Sequence, residues 1–219
     1  MTSQPPGEGP TASTTGDATR GLRYVALGDS FTIGTSVEPD ARWPNQLVHA
    51  LGPDAPTLEL VANVGVNGFT SRDVIDVELP QLQGLRPEFV SLLVGVNDVV
   101  QGVPAETFRR NATTILDDLV VRVGAGRVLV VTTPDYTVTP AGADYGDPAT
   151  QAAAIREVNR VIEELAVARG IAVVDVYEVS LRAGADRSLV AGDGLHPSGA
   201  QYALWVERIL PAVERLLGR

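Results

Sequence analysis

From Gly21 onward, short and almost unbroken apolar runs alternate with longer amphipathic stretches. The runs fall at residues 22–27, 57–62, 88–94, 127–132 and 171–176 and are rich in Val and Leu. A strand with one wet face alternates apolar and polar residues. A strand covered on both faces is apolar throughout, which is the condition of parallel sheets. The stretches between them, residues 43–51, 71–79, 104–123 and 147–169, read as helices, and a last helix runs over about 198–217. Pro104 suits a first helical turn, where its missing N–H costs nothing. Gly124, Gly126 and Gly170 follow helices, as C-terminal glycines do. Strand–helix alternation of this kind predicts a parallel sheet with right-handed crossovers, in one α/β domain of three layers.

Composition sets the outer limits. A chain of 219 residues suits one domain with a sizeable core, and 44% apolar with 20% charged residues describes a globular protein. The formal net charge of -10 argues against a general nucleic-acid binder, which needs basic stripes, and disfavours stable association with anionic membranes. With no cysteine, disulfides, thiol chemistry and thiolate metal sites are excluded. Residues 1–20 are rich in Ser, Thr, Gly and Pro and lack the apolar stretch of a secretory signal, so they read as a flexible N-terminal tail ahead of a domain over 21–219. No apolar run reaches membrane-spanning length, and the expected location is cytoplasmic.

In an open parallel sheet, ligands gather beyond the carboxyl ends of the strands, so chemistry is sought just after each apolar run. Gly28-Asp29-Ser30 follows the first run and offers a serine hydroxyl at the rim. Alone, it reads more readily as a capping turn. A serine hydroxyl becomes a useful nucleophile when a base takes its proton and a third group orients that base. The chain has two histidines. His49 lies within the apolar pattern of Trp43, Leu47, Val48 and Leu51 and reads as a structural or exposed helix residue. His196 lies in Asp193-Gly194-Leu195-His196-Pro197, where Asp193 can accept from one ring nitrogen and leave the other for Ser30. Pro197 is read as the start of the final helix. After the second run, Asn63 to Thr70 carry Gly65 and Gly68, and Gly65 can aim a backbone N–H at a ligand. After the third, Gly95-Val96-Asn97-Asp98 offers the Asn97 amide, a donor that does not titrate.

Taken in order, these four blocks resemble the SGNH, or GDSL, hydrolase family, over about residues 22–217. Gly28-Asp29-Ser30 resembles its first block, Asn63-x-Gly65-x-x-Gly68-x-Thr70 its second, Gly95-Val96-Asn97-Asp98 its third and Asp193-x-x-His196-Pro197 its fourth. The resemblance implies a flavodoxin-like, five-stranded parallel sheet of order 2-1-3-4-5. It implies a Ser30 nucleophile and a His196 base oriented by Asp193. It further implies an oxyanion site made by the main chains of Ser30 and Gly65 and the side chain of Asn97, with neither metal nor organic cofactor. Phe31 departs from the pattern, since the family commonly has leucine there. Thr32 falls where the nucleophile elbow of the α/β-hydrolases requires glycine, so that family fits poorly.

The expected reaction is hydrolysis of a small carboxylic ester through an acyl-enzyme. Three rivals stand beside it: an acyltransferase using the same acyl-enzyme, a metal-dependent phosphoesterase built on Asp29, Asp98, Asp193 and His196, and a carbohydrate- or lipid-binding module on the same fold. Specificity is expected in the loops 134–148 and 177–192, with Val99, Val100 and Val103 as candidate lining of a small acyl pocket. The acidic first loop disfavours a strongly anionic substrate. Oligomeric state is not legible in the sequence.

Overall fold

The structure, a computed structural model, describes residues 20–54 and 56–219. The tail expected over 1–20 therefore lies outside the described residues, apart from Arg20. Five parallel strands, β1 (Leu22–Gly28), β2 (Leu58–Asn63), β3 (Phe89–Leu93), β4 (Val128–Val131) and β5 (Ala172–Val174), form one sheet in the order β2-β1-β3-β4-β5. This is the order that the resemblance implied. Each strand ends within a few residues of its apolar run.

The continuous apolar character has the expected cause. In β1, Tyr24 and Ala26 face one layer while Val25 and Leu27 face the other, and all four are fully buried. In the first layer α2 (Trp43–Leu51) and α9 (Gly199–Leu217) pack together, and Trp43, Leu47, Tyr202, Trp205 and Ile209 fill the space against the sheet. In the second, α6 (Ala105–Val123) and α7 (Pro148–Val167) bring Phe108, Ile115, Leu119, Val161 and Ile162 against Val25, Leu27, Val90 and Leu92.

Four short helices break the simple alternation: α1 (Ser30–Ile33), α3 (Ser71–Asp73), α5 (Val96–Val100) and α8 (Tyr177–Ser180). The helix expected over 71–79 continues further. It runs through a wide turn at Val74–Glu78 into α4 (Leu79–Leu85). Pro80 cannot donate to the carbonyl four residues back, and just before it the Leu79 N–H reaches instead to the carbonyl of Val74, one residue further. Pro197 does not start α9. It pairs with Val190 in an antiparallel bridge, and Ser198 caps the helix by accepting from the Gln201 N–H.

Candidate active site

The site grows from the end of β1. Gly28 has φ +143°, and a Cβ there would lie 2.0 Å from the Leu93 carbonyl oxygen of β3, so only glycine lets the chain leave the sheet at this point. Its N–H donates to Glu78 Oε2 at 2.9 Å. Asp29 then caps α1, accepting from the Phe31 N–H at 2.9 Å. Ser30 is the first residue of that helix, where backbone N–H groups have no intrahelical partner. Glu78 thus holds the entry to the turn and Asp29 the N–H of Phe31, and the Ser30 side chain makes no hydrogen bond among the described residues.

Beside it, the β2 exit loop closes on the same turn. Asn63 Nδ2 donates to the Thr32 carbonyl at 2.7 Å, and a Cβ on Gly65 would lie 3.0 Å from the Asp29 carbonyl oxygen. The Gly65 N–H donates to Asn63 Oδ1 over a long 3.2 Å. From the β3 exit, Asn97 in α5 gives one amide hydrogen to the Phe69 carbonyl at 2.9 Å, leaving its second unassigned. Its neighbour Asp98 is buried and turned away, accepting from Ser71 N–H at 2.8 Å and from the Ser71 hydroxyl.

The β5 exit supplies the last part. Asp193 Oδ1 accepts the N–H groups of Leu195 at 2.9 Å and His196 at 3.0 Å, which is the physical meaning of the three-residue spacing: one carboxylate oxygen pins the turn. Its other oxygen, Oδ2, lies 2.6 Å from His196 Nδ1. The turn is braced further by the Ala191 N–H donating to the His196 carbonyl at 2.7 Å and the Ser198 N–H to that of Leu189 at 2.9 Å. Burial alone would raise the Asp193 carboxyl. Donors from Ser36, the Leu195 N–H and His196 outweigh it and hold the group well below the ordinary carboxylate range, so it stays ionised.

Ser30, Asn97 and His196 meet around one cavity of about 220 Å³, lined also by Phe31, Asn67, Val96, Val100, Tyr136, Tyr145 and Leu195. Gly65 abuts the Ser30 turn but does not line this cavity. Of the valines expected to line an acyl pocket, Val100 does so, joined by Val96, while Val99 and Val103 do not. The loop after β4 contributes Tyr136 and Tyr145, whose rings meet edge to face at 5.8 Å. The stretch 177–192 contributes nothing to the lining, because Val179, Ala183 and Leu189 turn inward as core. His49 lies exposed on α2, away from the cavity. Among the described residues no three His, Asp, Glu or Cys side chains converge as a metal site, and no helix is long and apolar enough to cross a membrane.

Sequence reading missed two contacts. Ser36 donates to Asp193 Oδ2 at 2.7 Å across the gap between the first and last blocks. Phe31 sets its ring 5.2 Å from the His196 ring, tilted by 52°. Phe31 stood out in the sequence as a departure from the family pattern, but nothing in the sequence pointed to Ser36.

A parallel 2-1-3-4-5 sheet, carrying a capped serine after its first strand and an aspartate-bound histidine after its last, defines an α/β hydrolase of the SGNH type. Residues 26–204 match the GDSL-like lipase/acylhydrolase family, and the chain belongs to that family, whose members are carboxylic ester hydrolases. No curated protein matches the chain in sequence. Among solved structures, it is similar to a lipase/acylhydrolase from Enterococcus faecalis, at 25% identity and TM-score 0.69 over 90% of this chain and 97% of that one. A lipolytic protein of the G-D-S-L family from Desulfitobacterium hafniense is similar at 23% identity and TM-score 0.70, over 87% and 99%. An acetylxylan esterase from Geobacillus stearothermophilus is similar at 19% identity and TM-score 0.66, over 90% and 94%.

Proposed function

We propose that the chain hydrolyses short-chain carboxylic esters through a Ser30–His196–Asp193 triad. The observation that carries this reading is the Asp193–His196 pair, bonded at 2.6 Å through Nδ1, on the same small cavity as the unbonded Ser30 hydroxyl. Bonding at Nδ1 fixes the tautomer, so Nε2 is left to take the Ser30 proton as Oγ attacks the ester carbonyl. The charge that develops on the carbonyl oxygen is met by the Ser30 N–H, the second hydrogen of Asn97 Nδ2 and the Gly65 N–H, whose long bond to Asn63 leaves it open to sharing. The protonated His196 then gives its proton to the departing alkoxide, leaving an acyl-Ser30 ester. Water attacks that ester with His196 again as base, and the acid and free Ser30 are released.

The cavity argues for a short acyl group. Its volume of about 220 Å³ lies below the roughly 300–1,000 Å³ of sites for drug-sized ligands, and its walls are mainly apolar and aromatic. The test is hydrolysis of a chain-length series of p-nitrophenyl esters by wild type and Ser30→Ala, with and without chelator. Acetate to butyrate esters should be preferred, and Ser30→Ala should lose roughly 10⁴–10⁶-fold in kcat. Undiminished activity in Ser30→Ala would sink the mechanism. Loss of activity on chelation would turn the reading to a metal-assisted one, and release of acyl products only when an alcohol acceptor is added would turn it to acyl transfer.

A further inference from the structure

We infer that Ser36 is a positioning residue for the base: its hydroxyl locks the Asp193 carboxylate in the rotation that presents Oδ2 to His196 Nδ1. The inference rests on His196 serving as base to Ser30.

The first observation is the bonding of the carboxylate. Each oxygen of Asp193 receives two donors: Oδ1 takes the Leu195 and His196 N–H groups, and Oδ2 takes His196 Nδ1 at 2.6 Å and the Ser36 hydroxyl at 2.7 Å. Three of these donors belong to the 193–196 turn itself. Ser36 is the one that reaches Asp193 from another part of the chain, and it bonds the oxygen that faces the base. Without Ser36, Oδ2 is held only by the His196 ring, which can turn with it; Ser36 ties that oxygen to a separate segment of the chain.

The second observation is backbone conformation. Ser36 has φ +66°, a left-handed geometry that disfavours residues with a Cβ. Apart from Arg86, every other described residue in this region of φ is a glycine. A serine at such a place keeps a strained backbone, and what it offers over glycine is the hydroxyl. The third is connectivity. The Gly34 and Thr35 N–H groups both donate to the Ser30 carbonyl, at 3.0 and 3.1 Å, so the segment that carries the clamp is folded onto the nucleophile's own backbone. One short stretch thereby presents the nucleophile and aims its base.

Ser36→Gly and Ser36→Ala separate the hydroxyl from the backbone. Both lose the donor, but glycine also relaxes the strain and should fold at least as well as alanine does. Each is compared with wild type and Ser30→Ala for kcat and KM on a short-chain p-nitrophenyl ester. In a His49→Gln background, which leaves one histidine, the downfield proton resonance of the Nδ1–Oδ2 bond is followed by NMR. Both variants should lose about tenfold in kcat with KM within twofold of wild type, and the downfield resonance should broaden or move upfield. Wild-type kcat in Ser36→Gly, or a resonance that stays in place, overturns the inference. Activity surviving in Ser30→Ala would remove the base role itself, an outcome that the Ser36 variants alone cannot produce.

Discussion

Phe31 shows how one side chain can touch both the cavity and the His196 ring. It is buried, it lines the cavity beside Ser30, and its ring lies 5.2 Å from that of His196. Phe31→Ala removes one wall of the cavity and the ring that lies against His196 together. Removal of a buried phenyl group costs about 3–5 kcal/mol of stability, so the variant should unfold at a clearly lower denaturant concentration. Its optimum in the p-nitrophenyl ester series should move to longer chains, with a several-fold lower kcat. An unchanged chain-length optimum would show that Phe31 does not bound the acyl site. At this scale the sequence was most legible where chemistry and spacing coincide. Ser30 follows an apolar run, and Asp193 and His196 are near enough in the chain to bond within one turn. Ser36 was illegible because its partner lies 157 residues away and its backbone angle leaves no mark in composition. Tyr136 and Tyr145 were visible only as members of a loop, and their place at the cavity depends on how that loop docks, through the Tyr136 hydroxyl on Gln151 of α7 and the Ala141 N–H on the Gly194 carbonyl.

At the scale of elements, the turn that carries Ser30 is held by buried carboxyl groups. Burial pushes the Glu78 carboxyl up to about 9 from an ordinary 4.5, with the Gly28 N–H opposing and Asp29 adding to the rise. Burial likewise pushes Asp29 up to about 8, against the Phe31 N–H and with a contribution from Asp98. One oxygen of each, Glu78 Oε1 and Asp29 Oδ2, has no hydrogen-bond partner among the described residues. Both groups are therefore protonated when folded at neutral pH and ionised when unfolded. The folded state binds more protons, so their contribution to stability is full below about 4.5 and is lost as pH rises towards 9. Glu78→Gln keeps the shape and the acceptor for Gly28 N–H without a titrating proton. Its melting temperature should fall less between pH 6 and 9 than that of wild type, and parallel curves for the two would refute a buried, protonated Glu78. The long elements were legible because two or more turns of apolar periodicity define a face. The short helices α1, α5 and α8 carry too few residues for a period. They are set by caps and neighbours: Asp29 accepting from the Phe31 N–H, or the glycine φ of +131° at Gly95 before α5. The wide turn at Val74–Glu78 was hidden for a related reason, because Pro80 reads in sequence as an end and not as a detour.

Across the whole molecule, the order of the strands explains why residues so far apart in sequence meet. The alternating pattern establishes parallel strands and one active edge, but it does not say which strands are neighbours; that came from the resemblance, which the sheet matches. With β1 flanked by β2 and β3, the exits of these three strands crowd around Ser30, and α9 returns the chain so that the loop before it brings His196 over the same edge. Carboxylates also stand at this edge. Asp193 is ionised at its rim, Asp144 and Asp147 are exposed in the loop that carries Tyr145, and the whole chain bears a formal charge of -10. A field of one sign repels an incoming anion and acts on its encounter rate, and salt screens it over about 8 Å at physiological ionic strength. A p-nitrophenyl hemisuccinate and a p-nitrophenyl butyrate have acyl chains of the same length and differ in charge. At low ionic strength the anionic ester should show the lower kcat/KM. Raising salt from 10 to about 300 mM should increase its kcat/KM several-fold while leaving the neutral ester nearly unchanged. Equal salt responses for the two esters would mean that the charge of the fold does not reach the mouth of the site, and that selection among esters rests on the shape of the cavity walls.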